Sequence, residues 1–246
     1  MINLPSSTER RERISAQLDR LGLEYEITEA VNGHKLTDED WALYRRDKRQ
    51  KMFGKDLTIG EIGCYLSHYR LWERIVREDL AKGAIILEDD VVISDDLPQV
   101  LDSLSKTDLK WEVLRLCGIR KRKYKTLEQL DNHYRLVRLN HVACGAAGYW
   151  INKKGASRLL PICREIIWPV DIILDRYWKT GLRILAIQPY VIDQCQNDVP
   201  SDIDQCGEQR KALKGKKNLS LYFRKRLRRL NDTVHRTCHN FIDSLG

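Results

Sequence analysis

The sequence lacks the features that mark several protein classes. Its longest stretch without Lys, Arg, Asp or Glu is residues 139–152, which is too short and too polar to span a bilayer. It has only 14 glycines and 6 prolines in 246 residues, which excludes collagen-like and low-complexity chains. Residues 1–5 have neither the basic nor the apolar segment of a secretory signal, so we expect none. The remaining composition, 42% hydrophobic and 32% charged, is typical of a globular protein with a sizeable core.

The cysteines give no sign of a disulfide framework. There are seven of them, an odd number, and no two are spaced as Cys-x-x-Cys. This pattern also fits no common zinc site. We therefore expect reduced thiols and a cytoplasmic protein.

Positive charge is concentrated at the carboxyl end. Residues 208–246 contain eleven Lys or Arg against three Asp or Glu, whereas residues 1–207 contain 32 of each. We therefore divide the chain into a neutral body, residues 1–207, and a basic tail, residues 208–246. A neutral body without a recognised reader motif argues against nucleic-acid binding, and the tail predicts contact with an anionic surface.

Helical and strand patterns alternate along the body. Ser6 and Glu9 stand in capping-box spacing before a helix that ends at Gly22, and Thr58 and Glu61 repeat that spacing. Residues 119–134 are polar and basic, and we interpret them as a loop. The alternation predicts an α/β domain with a mostly parallel sheet flanked by helices. Helices are predicted at 6–22, 58–83, 95–104, 154–165 and 171–179, and strands at 23–31, 84–87, 111–116, 149–151 and 184–192.

The most informative local pattern is the run of three carboxylates Glu88, Asp89 and Asp90, directly after the apolar residues 84–87. Ligands of open α/β sheets bind outside the carboxyl ends of strands. Adjacent carboxylates repel one another, and a divalent cation between Glu88 and Asp90 would relieve that repulsion. Oxygen ligands favour Mg²⁺ or Mn²⁺, but a solvated turn would explain the same residues. For a further metal ligand, spacing does not choose between His141, Asp193 and Gln194.

Several motifs occur in the order found in a known family, and together they resemble glycosyltransferase family 25, the lipopolysaccharide and lipooligosaccharide β-galactosyltransferases, related to the collagen galactosyltransferases. The resemblance covers roughly residues 2–204. The motifs are Ile2-Asn3-Leu4 with Arg10, Ala30-Val31-Asn32-Gly33, Gly60-Glu61-Ile62-Gly63-Cys64 with Ser67-His68, Leu87-Glu88-Asp89-Asp90-Val91, Gly148-Tyr149-x-Ile151, Pro169-Val170-Asp171 and Ser201-Asp202-Ile203.

The resemblance implies a GT-A-like nucleotide-sugar-binding fold and an inverting transfer from a UDP-sugar. It implies that Asp90 binds the metal and that Glu88 contacts the metal or the ribose, although the GT-A motif has Asp rather than Glu first. Gly145 follows Cys144 in a run of small residues that would let the sugar lie against the backbone, or would simply form a tight turn. The resemblance implies that the donor is held by Asn3, Leu4, Arg10, Ala30, Val31, Asn32, Gly33, Glu61, Ser67, His68, Glu88, Asp89 and Gly145.

An inverting transfer needs a base that removes the proton of the acceptor hydroxyl. We assign this role to Asp171, which follows Trp168-Pro169 and begins a predicted helix. The alternative for Asp171 is an N-cap, and Asp175 is the competing base. Glu61 and His68 also have structural alternatives to donor binding. Glu61 would be the capping partner of Thr58, and His68 would be a hydrogen-bonded interior histidine.

The tail has apolar residues at helical spacing between basic ones, which is typical of a helix on an anionic membrane or of a helix packed on the body. We therefore expect a peripheral enzyme at the cytoplasmic face of the inner membrane of a Gram-negative bacterium. The expected reaction moves galactose from UDP-galactose onto a lipooligosaccharide or lipopolysaccharide core. The alternatives are a UDP-glucose-dependent transferase of the same family, a non-catalytic homologue and a basic binding protein. The apolar tail positions are Leu219, Phe223, Leu227, Leu230, Val234, Phe241 and Leu245.

Overall fold

The computed structural model describes residues 1–119, 122–194, 226–227 and 229–238. Its helices are α1 (Thr8–Arg20), α2 (Asp38–Leu43), α3 (Arg46–Phe53), α4 (Ile59–Arg77), α5 (Leu97–Ser105), α6 (Lys153–Cys163), α7 (Val170–Leu174) and α8 (Tyr177–Thr180). Its strands are β1 (Ile2–Asn3), β2 (Thr28–Glu29), β3 (Ala84–Leu87), β4 (Val91–Ile93), β5 (Val113–Arg115), β6 (Tyr124–Gln129), β7 (Arg135–Leu139), β8 (Gly148–Ile151), β9 (Ile184–Gln188) and β10 (Ile192–Gln194).

The central sheet is mixed, so the prediction of a mostly parallel sheet is wrong. Six strands pair in the order β3-β8-β5-β9-β7-β6, and only β5 and β9 are parallel. The reason is that β8 runs antiparallel between β3 and β5, and a β6–β7 hairpin adds antiparallel pairs at the far edge. The fold is α/β with helices flanking a mixed sheet.

The predicted loop at residues 119–134 is also wrong, because it contains β6. This strand is polar and mostly exposed, with the sequence Tyr-Lys-Thr-Leu-Glu-Gln, and pairs only with β7 at the edge of the sheet. An edge strand does not bury both faces, so it has no apolar pattern to reveal it. The helices α2 and α3 were not predicted from the sequence either.

The other elements differ from expectation mainly at their ends. The helix α1 begins at Thr8, and its N-cap is Ser7, so the expected pairing of Ser6 with Glu9 does not cap it. The predicted strand at 23–31 is reduced to β2, and the predicted helix at 171–179 is divided into α7 and α8. The capping box of α4 is present, and α4 ends at Arg77, before the expected stop at Gly83.

Two hydrophobic clusters lie on the two sides of the sheet system. One packs α4 and α6 against β3 and β8, and includes the fully buried Trp72 and Tyr149. The other packs α1 and α5 against β4, β7 and β9. Within the described residues, no helix has the length and apolarity needed to cross a membrane.

Candidate functional site

Three strand ends meet beside the helix α4. The strands β1 and β2 pair in parallel, and Ile2 forms a parallel bridge with Glu88, which follows β3. Their carboxyl ends therefore point the same way, as the sequence analysis required of a ligand site. A cleft of about 290 Å³ opens there.

Most of the predicted donor and metal residues come together in this cleft. Those that line it are Asn3, Leu4, Arg10, Ala30, Val31, Asn32, Gly33, Ser67, His68, Glu88, Asp89 and Asp90. Glu61, Gly145 and Asp171 are not among its lining residues.

Cys64 and Gly60 also line the cleft, although neither was predicted from the sequence to bind the donor or the metal. The available signal was their spacing. Gly60, Cys64 and His68 are four residues apart, which places them on one face of α4. Ile2, Ser6 and His34 also line the cleft without having been predicted.

Small residues let α4 approach the loop after β2. A Cβ added to Gly63 would lie 2.5 Å from the Val31 carbonyl oxygen, and one added to Gly33 would lie 2.1 Å from that of Ile59. Ser67 fixes the same loop, because its hydroxyl accepts a 2.8 Å hydrogen bond from the Val31 N–H and donates to the Gly63 carbonyl at 2.8 Å. The glycines thus serve backbone packing, and that packing shapes one wall of the cleft.

Glu61 lies at the start of α4. Its carboxylate accepts a 2.8 Å hydrogen bond from the Thr58 N–H, and the Thr58 hydroxyl accepts one of 3.1 Å from the Glu61 N–H. This is the capping role that the sequence allowed as the alternative to donor binding.

Two of the residues predicted to bind the nucleotide, Asn3 and Arg10, hold Asp89 in place. The Asn3 amide donates to Asp89 Oδ2 at 2.7 Å, and the Arg10 guanidinium forms an ion pair with Oδ1 at 3.5 Å. Asn3 also donates to the Ser7 carbonyl at 3.0 Å. These contacts tie the acidic turn to β1 and α1, and they orient Asp89 and Asn3 relative to the cleft.

Asp90 is the least satisfied carboxylate of the cleft. Its side chain is buried, and Gln194 donates to its Oδ2 at 2.9 Å. Its Oδ1 is buried and has no hydrogen-bond partner among the described residues. Burial, followed by the negative charge of Glu88, raises the pKa of Asp90 to about 6. A divalent cation would supply the missing partner and offset the repulsion, so the residues present fit a bound Mg²⁺ or Mn²⁺.

Of the three residues left open as a further metal ligand, only Gln194 contacts Asp90. Asp193 is exposed on the neighbouring position of β10. His141 lines a different, smaller cavity with Asp175 and Arg115. The structure therefore favours Gln194 as the neighbour of the metal site.

Glu88 belongs to a second group of possible ligands. Its Oε1 accepts from the Cys64 thiol at 3.6 Å and lies 3.2 Å from His68 Nε2. One ligand atom from each of these three residues lies within 4.8 Å of the others, so together they could hold a cation if His68 Nε2 carried no proton. Burial, assisted by the charge of Glu88, raises the pKa of the Cys64 thiol well above its usual range, so without a metal this thiol stays protonated.

Asp171 lies in α7, next to the Gly145 backbone. The N-cap of α7 is Pro169, so Asp171 does not cap it. Burial raises the pKa of Asp171, while hydrogen bonds from the Ile172 and Gly145 N–H groups act in the opposite direction. The negative charge of Glu88 also contributes to this increase in the pKa.

The competing base, Asp175, is enclosed. It is 3% exposed and accepts a 2.6 Å hydrogen bond from the Cys144 N–H. Burial raises its pKa, with Arg115 and the Cys144 N–H opposing. Its contacts support the turn at Cys144, which has a positive φ of 61°. Asp175 therefore supports this turn from a more enclosed position than Asp171, which accepts from the neighbouring Gly145 N–H.

Comparison with known proteins gives a consistent result. The family model described as "Glycosyltransferase family 25 (LPS biosynthesis protein)" matches residues 1–174. Procollagen galactosyltransferase 1-A of Xenopus laevis is 30% identical over 184 residues, which cover 71% of this chain and 30% of that protein. A glycosyltransferase 25 family member of Drosophila melanogaster is 30% identical over 192 residues, covering 72% of this chain and 30% of that protein.

A Bos taurus protein named "Probable inactive glycosyltransferase 25 family member 3" is 28% identical over 220 residues, covering 77% of this chain and 35% of that protein. The chain thus spans about a third of the length of these curated relatives.

Proposed function

Because this chain belongs to glycosyltransferase family 25, we propose that it transfers a hexose, galactose, from a UDP-sugar to an acceptor hydroxyl with inversion and with the help of a divalent cation. The observation that carries the proposal is the buried Asp90 Oδ1 beside Glu88, which has no hydrogen-bond partner within the described part of the chain and lies at the carboxyl ends of three strands. Asp90 would bind the cation, with Glu88 contacting the cation or the ribose. The cation, when bound, supplies positive charge that stabilises the leaving diphosphate.

In this proposal the residues after β1 and β2 hold the nucleotide, and Asp171 acts as the base. The acceptor oxygen forms a bond to the anomeric carbon while the bond from that carbon to UDP breaks. The hydroxyl proton passes to the Asp171 carboxylate, and the electron pair leaves with UDP. The raised pKa of Asp171 supports this role, because a carboxylate with a higher pKa is a stronger base.

The first test is binding of UDP with Mn²⁺, Mg²⁺ or EDTA by calorimetry, with Asp90→Ala compared with the wild type. We expect metal-dependent binding that is lost in the variant. Asp95→Ala is the matched control, because Asp95 is an exposed carboxylate of the following turn, paired with Arg20. Equal metal-dependent binding by Asp90→Ala and Asp95→Ala would contradict the proposal. A panel of UDP-sugars then separates galactose from glucose, and absence of binding to any of them would favour a non-catalytic homologue.

The second test is Asp171→Asn, compared with Asp175→Asn. Loss of a general base is expected to reduce transfer by roughly 10²–10⁴-fold, with UDP affinity unchanged. Asp175→Asn is expected to alter stability more than the ratio of turnover to binding, because its contacts are structural. Near wild-type transfer by Asp171→Asn would remove Asp171 from the mechanism.

For the acceptor we propose the saccharide of a membrane glycolipid, a lipooligosaccharide core, reached at the cytoplasmic face of the membrane. Support comes from the name of the matching family, which refers to LPS biosynthesis, and from the described part of the tail. Residues 226–227 and 229–238 are helical. Asp232 of this helix accepts hydrogen bonds from the Arg176 guanidinium at 2.9 Å and from the Trp178 indole at 3.3 Å. These bonds join the tail helix to α8 and to Arg176, which precedes α8. The other apolar tail positions and residues 201–203 lie outside the described residues.

The opposite face of this tail helix is apolar and exposed. Leu227, Leu230 and Val234 are 65%, 56% and 59% exposed, and their spacing places them on one side, away from Asp232. Arg226, which is exposed, lies at the edge of this face by helical spacing. An apolar face with an arginine at its edge suits the surface of an anionic membrane.

Flotation with phosphatidylglycerol-containing vesicles tests the membrane contact. Replacement of Leu227, Leu230 and Val234 by Glu in the full chain should abolish flotation, whereas Ile162→Glu, at an exposed apolar residue of α6, should not. Equal flotation of the two variants would exclude this contact. The names of the relatives suggest procollagen as a second acceptor, and a transfer assay with a collagen peptide and a lipooligosaccharide core distinguishes the two.

A further inference from the structure

A line of hydrogen bonds runs through the core to Glu88. It begins at Trp72 of α4, passes through Tyr149 of β8 and returns to His68 of α4. Each of these three side chains is fully buried. The Trp72 indole lies 2.9 Å from the Tyr149 hydroxyl, which lies 2.8 Å from His68 Nδ1. On its other side, His68 Nε2 lies 3.2 Å from Glu88 Oε1.

The chemistry of the first donor sets the direction of the whole line. The indole N–H can only donate, so the Tyr149 oxygen accepts from it. The Tyr149 hydroxyl proton is then available to His68 Nδ1, which makes Nδ1 the acceptor and places the imidazole proton on Nε2. Burial raises the pKa of Tyr149 well above its usual value, so that proton is retained. His68 therefore donates from Nε2 to Glu88.

This donation fixes one oxygen of Glu88 and leaves the other for a ligand. The Cys64 thiol donates to the same Oε1, and within the part of the chain that the structure describes no hydrogen bond involves Oε2. Glu88 and Asp90 carry like charges close enough to raise the pKa of Asp90. The Glu88 side chain is 20% exposed. Without these hydrogen bonds, repulsion between Glu88 and Asp90 would favour rotation of the Glu88 side chain towards water.

We propose that His68 is a positioning residue, oriented through its Nδ1 by Tyr149 and Trp72, whose Nε2–H fixes Glu88 so that Oε2 faces the metal and nucleotide. What Glu88 binds rests on the proposed function, whereas the tautomer and the line of hydrogen bonds do not. His68 acts on the donor through Glu88 rather than by direct contact. Supporting residues of this kind commonly change metal affinity by about 10–100-fold when they are replaced.

The test compares Tyr149→Phe with Tyr65→Phe. Tyr65 is a matched control, because it is also buried, lies in the same core cluster and donates through its hydroxyl to the Cys163 carbonyl at 3.1 Å. The first readout is the ¹⁵N spectrum of labelled histidine in the protein without ligands. We expect the Nε2–H tautomer of His68 in the wild type and in both variants, because the Glu88 carboxylate can only accept, and a changed Nδ1 resonance in Tyr149→Phe alone, where Nδ1 loses the hydrogen bond that it accepts.

The second readout is the affinity for Mn²⁺ alone and for Mn²⁺ with UDP. We expect Tyr149→Phe to weaken binding by about tenfold and Tyr65→Phe to leave it unchanged. His68→Gln keeps an N–H donor and should retain more affinity than His68→Leu, which has none. A wild-type Nδ1–H tautomer, or equal affinities of the two tyrosine variants, would overturn the proposal. If the wild type bound neither Mn²⁺ nor UDP, the proposed function would fail, and the Nδ1 resonance of His68 in the two tyrosine variants would still decide whether the hydrogen-bond line exists.

Discussion

Two buried carboxylates, one at the amino end of a strand and the other beyond the carboxyl end of another strand, have contrasting surroundings. Glu112, 5% exposed, precedes β5 and is paired with Arg158 at 2.9 Å and Lys154 at 3.2 Å, and it accepts from the Arg183 N–H at 2.9 Å. Asp90, 9% exposed, follows β3 and has one amide partner and a like charge nearby. Burial alone therefore does not identify a binding carboxylate. The incomplete set of partners does, because the protein leaves room there for a ligand to complete it.

The largest effect on stability should come from Glu112→Ala. Removal of this carboxylate leaves the Arg183 N–H without its acceptor, whereas the Arg158 and Lys154 side chains, 43% and 69% exposed, remain solvated, so we expect the free energy of unfolding to fall by about 2–3 kcal/mol. UDP affinity should not change, since Glu112 lies at the amino end of β5, away from the cleft. Urea denaturation and UDP titration measure both quantities. A large loss of UDP affinity in the folded variant would mean that Glu112, like Asp90, contributes to binding.

Replacement of Asp90 by Asn should raise the free energy of unfolding rather than lower it. The pKa of Asp90 is raised, so its contribution to stability is present below pH 4 and is lost as the pH rises through about 6. The variant avoids burying that charge, so without metal at pH 8 it should be more stable than the wild type by about 2 kcal/mol, and at pH 4 by almost nothing.

Thermal denaturation in EDTA at the two pH values checks this expectation, and added Mn²⁺ should stabilise only the wild type. Asp193→Asn, at the exposed neighbour of Gln194, should change stability at neither pH. A destabilised Asp90→Asn at pH 8 would mean that Asp90 is a structural carboxylate like Glu112.

The smallest effect should come from Glu61→Ala, which separates a capping carboxylate from the binding ones. Loss of half of the capping box is expected to cost about 0.5–1 kcal/mol, with UDP affinity unchanged. Denaturation and UDP calorimetry test it, with Glu73→Ala on the exposed side of the same helix as control. A tenfold weaker UDP affinity would return Glu61 to the donor site.

The candidate site was predictable to the extent that it depends on local order in the chain. The acidic turn after β3 and the capping box of α4 can both be recognised from residue type and spacing. Family resemblance added Asn3 and Arg10, which no local pattern distinguishes. The contacts of these two residues with Asp89 join positions about 80 residues apart in sequence, so no local pattern could predict them.

Strand direction was less accessible, because it depends on pairing between distant segments. The apolar strand β8 follows the β6–β7 hairpin and lies between β3 and β5, and nothing in its own four residues shows that it runs antiparallel to both. The hairpin itself was hidden by the polar sequence of β6. Helix–strand alternation therefore overestimated the parallel content of the sheet.

The sequence by itself determined the neutral body and basic tail, the main apolar elements and the acidic turn, because these depend on composition and short-range periodicity. Only the tertiary structure decided what each polar residue does. It gave Glu61 to a helix cap, enclosed Asp175 in a structural contact, and joined Trp72, Tyr149 and His68 to Glu88. The physical reason is that hydrogen bonds and charge interactions act over a few ångströms in space, and only folding brings residues distant in sequence within that range.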